Sequence, residues 1–187
     1  MILGAVYLKN KNKLAKDTLV VTTMSNMGLH VAAKEYGIKL AITDVGDRYV
    51  IEEMKKHGYN LGGEQSGHMI FLDYNTTGDG TLSSLIVSKI VKEEGKTLSE
   101  LSALMTTYPQ VLINVDVKNE VKHKYMENAE KKAEIERLEK LMDGTGRVLI
   151  RPSGTQPLVR VMLEGKDEGQ IRELAQGLAD LIKEKLS

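Results

Sequence analysis

The 187-residue chain has no cysteine, which excludes disulfides, thiolate metal sites and a cysteine nucleophile and agrees with a reducing compartment, the cytoplasm. It has no excess of charge of either sign. Twenty-six Lys and Arg balance 26 Asp and Glu, so no chain-wide field draws in nucleic acid or an anionic membrane, and any affinity for anions must be local. Long apolar runs are missing too. The opening MILGAVYL is brief, carries no basic residue ahead of it and runs straight into KNKNK, which fits a core helix and neither a signal peptide nor a membrane span. That helix starts at residue 1 with no cap or lead-in, the expectation for a chain continuing from something longer. There is no internal repeat and no low-complexity tract. What remains is 41% hydrophobic and 28% charged, enough to bury a core in one large domain or two small ones.

The first half alternates. LVVTT (19–23) and IKLAIT (38–43) are β-rich, while 27–36 and 48–57 read as helices ended by Gly37 and Gly58. A strand at MIFLDY (69–74) follows the glycine-rich GGEQSGH, Asp79 is placed to cap a helix over 81–94, and Thr97 with Glu100 forms a capping box. Near Tyr108-Pro109 the pattern changes. VLINVDV (111–117) alternates as a strand, a charged helix is expected over 121–142 with Ile135, Leu138, Leu141 and Met142 as its buried stripe, two strands flank RPSGTQP, and a C-terminal amphipathic helix carries Ile171, Leu174, Ala175, Leu178, Leu181 and Ile182. The fold class is α/β: a small, mostly parallel αβα-type sheet domain over 1–108, then a compact α+β (β-α-β-β-α) domain over 109–187.

Two stretches carry chemistry. In RPSGTQP (151–157), a positive φ at Gly154 would let successive N–H groups point into one concavity, Ser153 and Thr155 add hydroxyls, and Arg151 adds a planar fork suited to two phosphate oxygens, with Arg160 able to close the site from the side. The same residue types also make an ordinary turn, and composition does not decide between them. In GGEQSGH (62–68), an extended backbone would set Glu64, Ser66 and His68 in a row suited to sugar hydroxyls; a polar loop entering a strand is the alternative. A phosphate-binding P-loop is excluded, because Lys and Ser/Thr do not follow Gly67. In DVGD (44–47) the carboxylates do not by themselves make a magnesium site, and Asp47 is expected to cap the helix that follows. His30, His57 and His123 read as structural or solvated, and the mixed-sign run over 118–140 reads as an exposed helix face.

Taken together, MSNMG (24–28), VGDRYV (45–50), GGEQSGH (62–68), TTGDG (76–80) and RPSGTQPLVRVM (151–162) strongly resemble the C-terminal half of the bacterial phosphoglucosamine mutases, of the four-domain α-D-phosphohexomutase family. The resemblance covers nearly the whole chain and implies domain three, open to lacking its first strand, followed by domain four. It implies that Glu64, Ser66 and His68 contact sugar hydroxyls, and that Arg151, Ser153, Gly154, Thr155 and Arg160 hold the substrate phosphate that is not reacting. It further implies an isomerase that interconverts glucosamine 6-phosphate and glucosamine 1-phosphate through a phosphoserine and a bisphosphate, feeding UDP-N-acetylglucosamine and cell-wall synthesis. The family's serine loop and its acidic magnesium loop belong to domains one and two. Neither loop is found here, so no catalytic residue, metal ligand or cofactor is expected in this chain, and the chain alone is expected to be inactive. Expected partners are a glucosamine phosphate and the enzyme's N-terminal domains, with a homodimer allowed and nucleic acid and membrane excluded. The alternatives are part of a phosphomannomutase or phosphoglucomutase, or a non-catalytic sugar-phosphate-binding module. One departure is Gln156, where many relatives carry Glu.

Overall fold

The computed structural model describes residues 1–122, 129–143, 145–154 and 156–186, with the backbone alone for 129 and 130. It divides into two compact units, Met1–Thr107 and Tyr108–Ser187.

The first unit is built on a four-stranded sheet of β1 (Thr18–Thr22), β2 (Lys39–Thr43), β3 (Leu61–Gly63) and β4 (Met69–Phe71), in the order β2-β1-β3-β4. β1 runs parallel to β2 and β3, and β4 closes the edge antiparallel to β3. Every residue of β1 is buried, as expected of a central parallel strand covered on both faces. Its side chains alternate between two cores. Leu19 and Val21 pack with α1 (Ile2–Asn10), α2 (Met27–Glu35) and Ile90 of α4 (Gly80–Glu94), whereas Val20 packs with Val50 and Met54 of α3 (Asp47–His57). The short α5 (Leu98–Ser102) begins at the expected capping box, and Asp79 caps α4 through the Leu82 N–H. The expected cap at Asp47 is corrected. Gly46 is the capping position, and Asp47 lies inside the first turn with its carboxylate accepting from the Arg48 N–H at 2.8 Å.

The sequence pattern assigns no strand to residues 61–63, where GGEQSGH is open to either an extended backbone or a polar loop. They form β3 for a steric reason: a Cβ on Gly62 would lie 2.6 Å from the Met54 sulfur and 2.8 Å from Val50 Cγ1. The glycine lets α3 close directly onto the strand, and the expected strand over 69–74 is shortened to the hairpin partner Met69–Phe71.

The second unit is a three-stranded antiparallel sheet of β5 (Gln110–Asp116), β6 (Arg147–Pro152) and β7 (Leu158–Glu164), in the order β5-β7-β6, with α6 (Ala129–Leu141) and α7 (Glu168–Leu186). One face supplies Val111, Val115, Val148, Ile150, Val159, Val161 and Leu163 to the core, against Leu138 and Met142 of the α6 region and Ile171, Ala175, Leu178 and Ile182 of α7. Each such side chain, fully buried, contributes roughly 1.5–3 kcal/mol. Leu141, expected in that stripe, is instead 49% exposed. The expected helix start at 121 is also corrected: Val121 and Lys122 lie in a turn, their N–H groups donating to Lys118 O. His123 lies outside the described residues. Both units match the α/β class read from the sequence. Among the described residues, no helix is long and apolar enough to cross a membrane.

Candidate functional site

Each unit brings together one of the two stretches singled out above. In the first, only the two glycines of GGEQSGH are extended, as the end of β3, and residues 64–68 turn. The Glu64 N–H donates to His68 O at 2.9 Å and the Gly67 N–H to Glu64 O at 3.1 Å, closing a turn at the end of the β3–β4 hairpin in which Gly67 takes φ +103°, a conformation disfavoured for side-chain-bearing residues. Glu64, Ser66 and His68 still converge, but through the turn. Ser66 Oγ lies 3.1 Å from His68 Nδ1, and the same nitrogen lies 3.6 Å from Glu64 Oε2. Ser66 and His68 are exposed. Glu64 is 9% exposed and points its other oxygen, Oε1, at the Gly46 N–H, 2.9 Å away.

That bond was not legible in the sequence, although DVGD was. It ties the turn to the start of α3, fixing the carboxylate in one orientation. Gly63 enforces the same geometry from below, since a Cβ there would lie 2.6 Å from His68 O. Two outward-facing groups, a hydroxyl and an imidazole, thus stand beside an oriented acceptor, a set that can donate to and accept from vicinal hydroxyls.

In the second unit, RPSGTQP connects β6 to β7. The turn is held by Ser153 N–H to Leu158 O at 2.9 Å and by Gln156 N–H to Ser153 Oγ at 3.1 Å, with Ser153 5% exposed. The left-handed conformation expected at Gly154 is absent. Among the described residues, the glycines with positive φ are Gly37, Gly46, Gly58, Gly67 and Gly95. The Ser153 side chain and the cross-turn bonds make the reversal without it. Its chain neighbours aside, a Cβ on Gly154 would meet no described atom within 4 Å, so its side-chain face is open. Thr155 lies outside the described residues.

Arg151 and Arg160 are direct cross-strand partners on β6 and β7. Side chains so placed share one sheet face with Cβ atoms about 4.5–5.5 Å apart, and like charges there repel. Burial first, and the Arg160 charge second, hold the Arg151 guanidinium below its ordinary value. Among the described residues, Arg160 Nη2 reaches the amide oxygen of Gln156, at 3.5 Å. Ion pairs of the second unit join Lys132 to Glu136, Arg137 to Glu134, Arg147 to Glu164 and Arg172 to Glu168, and among the described residues neither Arg151 nor Arg160 pairs with a carboxylate.

The same sheet face gives the contrast. Four residues along each strand, Arg147 is the cross-strand partner of Glu164, and the two form an ion pair at 2.6 Å. One cation on this face is neutralised internally, while the two beside the loop are left facing each other. Two guanidinium forks beside a turn are groups able to pair with a multiply charged oxyanion.

Sequence reasoning missed Lys122. Read as part of a solvated run, it is 8% exposed, and its ammonium donates to Ser153 O at 2.8 Å and lies 3.5 Å from Gln156 O. No periodicity in this charged stretch marks it. Among the described residues, no group of three or more His, Asp or Glu is placed to hold a metal ion.

Comparison with known proteins agrees with the two-unit division. Residues 1–108 match the family described as phosphoglucomutase/phosphomannomutase, alpha/beta/alpha domain III, and residues 112–181 match the phosphoglucomutase/phosphomannomutase C-terminal domain. The chain is 70% identical over all 187 residues to a phosphoglucosamine mutase of Clostridioides difficile, and 59% identical to one of Caldanaerobacter subterraneus. It spans 42% of the length of each. Among solved structures, the N-acetylphosphoglucosamine mutase of Aspergillus fumigatus in complex with GlcNAc-6P and magnesium shares the fold. Its TM-score is 0.81 at 20% identity, covering 100% of this chain and 43% of that one.

Proposed function

We propose, for a chain that belongs to the phosphoglucomutase/phosphomannomutase family, that it supplies the substrate-holding elements of a phosphoglucosamine mutase, which interconverts glucosamine 6-phosphate and glucosamine 1-phosphate. The observation that carries this is the unneutralised pair Arg151 and Arg160, in register beside the open turn at Gly154. With Ser153 and Thr155, they hold the phosphate that is not reacting. Glu64, Ser66 and His68 read sugar hydroxyls. The 70% identity to a phosphoglucosamine mutase favours an aminosugar over the hexoses of other family members.

The chemistry follows from what such a loop can and cannot distinguish. In a mutase that works through a bisphosphate, the sugar presents first one phosphate and then the other, so the holding site must accept either. A site made of two guanidinium forks and backbone N–H groups recognises a phosphate and little of the sugar attached to it. Each charge-assisted hydrogen bond contributes roughly 1.5–3 kcal/mol, so the loop provides ground-state binding and orientation. In this reading the phosphoryl-carrying serine and the magnesium belong to parts of the enzyme outside these residues. Magnesium there would neutralise charge on the transferred phosphoryl group.

Calorimetry on the chain tests this. Both glucosamine 6-phosphate and glucosamine 1-phosphate are expected to bind, with dissociation constants within about tenfold of each other. Glucosamine without phosphate is expected to give no measurable heat, and a coupled assay to detect no conversion. Turnover by the chain, or equal affinity for unphosphorylated glucosamine, contradicts the reading.

A further inference from the structure

We infer that Lys122 is a positioning residue for the phosphate site: it turns the Gly154 N–H outward by holding the preceding carbonyl inward. The inference rests on the reading of RPSGTQP as a phosphate site and assigns a role that reading does not supply.

Ser153 C=O and Gly154 N–H belong to one planar trans peptide and point in opposite directions. Lys122 is 8% exposed, and its ammonium donates to that carbonyl at 2.8 Å. With the oxygen drawn down onto Nζ, the Gly154 N–H is directed away from Lys122. Its chain neighbours aside, a Cβ at Gly154 would meet no described atom within 4 Å, so the glycine leaves its side-chain face open to an approaching oxyanion. The lysine thereby does for this loop what a left-handed glycine was expected to do.

Other contacts hold Lys122 in that place. Its own N–H and that of Val121 donate to Lys118 O at 3.2 and 3.1 Å, and the Val117 N–H donates to Pro157 O at 3.0 Å. Residues 117–122 are therefore bonded to the far end of the same loop that Lys122 grips near its start. Its second carbonyl, Gln156 O at 3.5 Å, lies across the turn from the first, so one ammonium spans both arms. A buried ammonium is costly unless hydrogen-bonded, and these carbonyls satisfy it only while the loop is closed. The lysine also adds a positive charge behind the turn without contacting the ligand.

The test compares Lys122→Met and Lys122→Arg with the unaltered 187-residue chain, titrating inorganic phosphate and following backbone amides by NMR. Lys122→Met is expected to weaken phosphate binding about tenfold or more, with the Gly154 amide losing its phosphate-induced shift while the β5–β7 amides keep theirs. Lys122→Arg, which can still donate to both carbonyls, is expected to recover affinity to within about threefold. Phosphate affinity within about twofold of the unaltered chain in Lys122→Met overturns the inference. So does loss of the sheet amides in both variants, which would make Lys122 a folding residue. If Lys122→Met alone loses the sheet, Lys122→Gln carries the same comparison. Arg151→Ala separates the two levels. Unchanged phosphate binding in Arg151→Ala overturns the site itself, whereas weakened binding there with none in the Lys122 variants overturns only the role of the lysine.

Discussion

Arg151→Ala is expected to weaken binding of glucosamine 6-phosphate about 30- to 100-fold while leaving the unliganded protein as stable as before, or slightly more so. The loss follows from removing a fork able to make two charge-assisted hydrogen bonds to one phosphate, where even one such bond is worth roughly 1.5–3 kcal/mol. The stability half of the expectation separates a binding arginine from a structural one. Arg151 faces Arg160 in register, and burial together with that neighbour already disfavours its charge. A like-charged cross-strand pair costs about 0.2–1 kcal/mol, which truncation relieves. Calorimetry gives the affinity and chemical denaturation the stability. A large stability loss with unchanged affinity would reassign Arg151 to the scaffold.

Arg147→Met, four residues earlier on the same strand and face, is expected to do the reverse. Glu164 is fully buried, with Arg147 Nε at 2.6 Å and Gln110 Nε2 at 3.0 Å. Removing one partner of a buried pair leaves an uncompensated charge and costs about 3–5 kcal/mol. The lower end is expected, because Gln110 continues to donate to the carboxylate. Unfolding followed by far-UV circular dichroism measures it, the chain having no tryptophan. At temperatures where the variant stays folded, its affinity for glucosamine 6-phosphate should lie within about threefold of the unaltered chain. The two arginines differ only in what stands opposite them, a carboxylate for one and a second arginine for the other, and the opposite outcomes test whether that difference assigns their roles.

Much of this was legible in the sequence, and the exceptions share a cause. β1 and β2 could be read from apolar β-branched runs, the α4 and α5 starts from Asp79 and Thr97, and the α7 stripe from its spacing, because each is encoded by neighbours a few residues apart. β3 was missed because Gly62 and Gly63 carry no side chains from which to infer a strand; their reason is the close approach of Met54 and Val50 from α3. Glu64, Ser66 and His68 do come together, but through a turn and not as an extended row. The hydrogen bond from Gly46 to Glu64 joins segments 18 residues apart. Lys122 lies 31 residues from the carbonyl it grips, and a lysine in a run of mixed charge looks the same whether it is solvated or buried. The cross-strand pairing of Arg151 with Arg160 needed the hairpin register, which sets the two basic residues opposite each other.

The most direct test of the central claim is an amide- and guanidinium-resolved NMR titration of the 187-residue chain with glucosamine 6-phosphate, inorganic phosphate and glucosamine in turn. The account predicts saturable shifts at Ser153, Gly154, Gln156 and the side chains of Arg151 and Arg160 with both phosphate-bearing ligands and none there with glucosamine. Shifts at Ser66 and His68 should require the sugar phosphate. Saturation by glucosamine at the RPSGTQP loop, or phosphate-induced shifts confined to other basic residues, would contradict it.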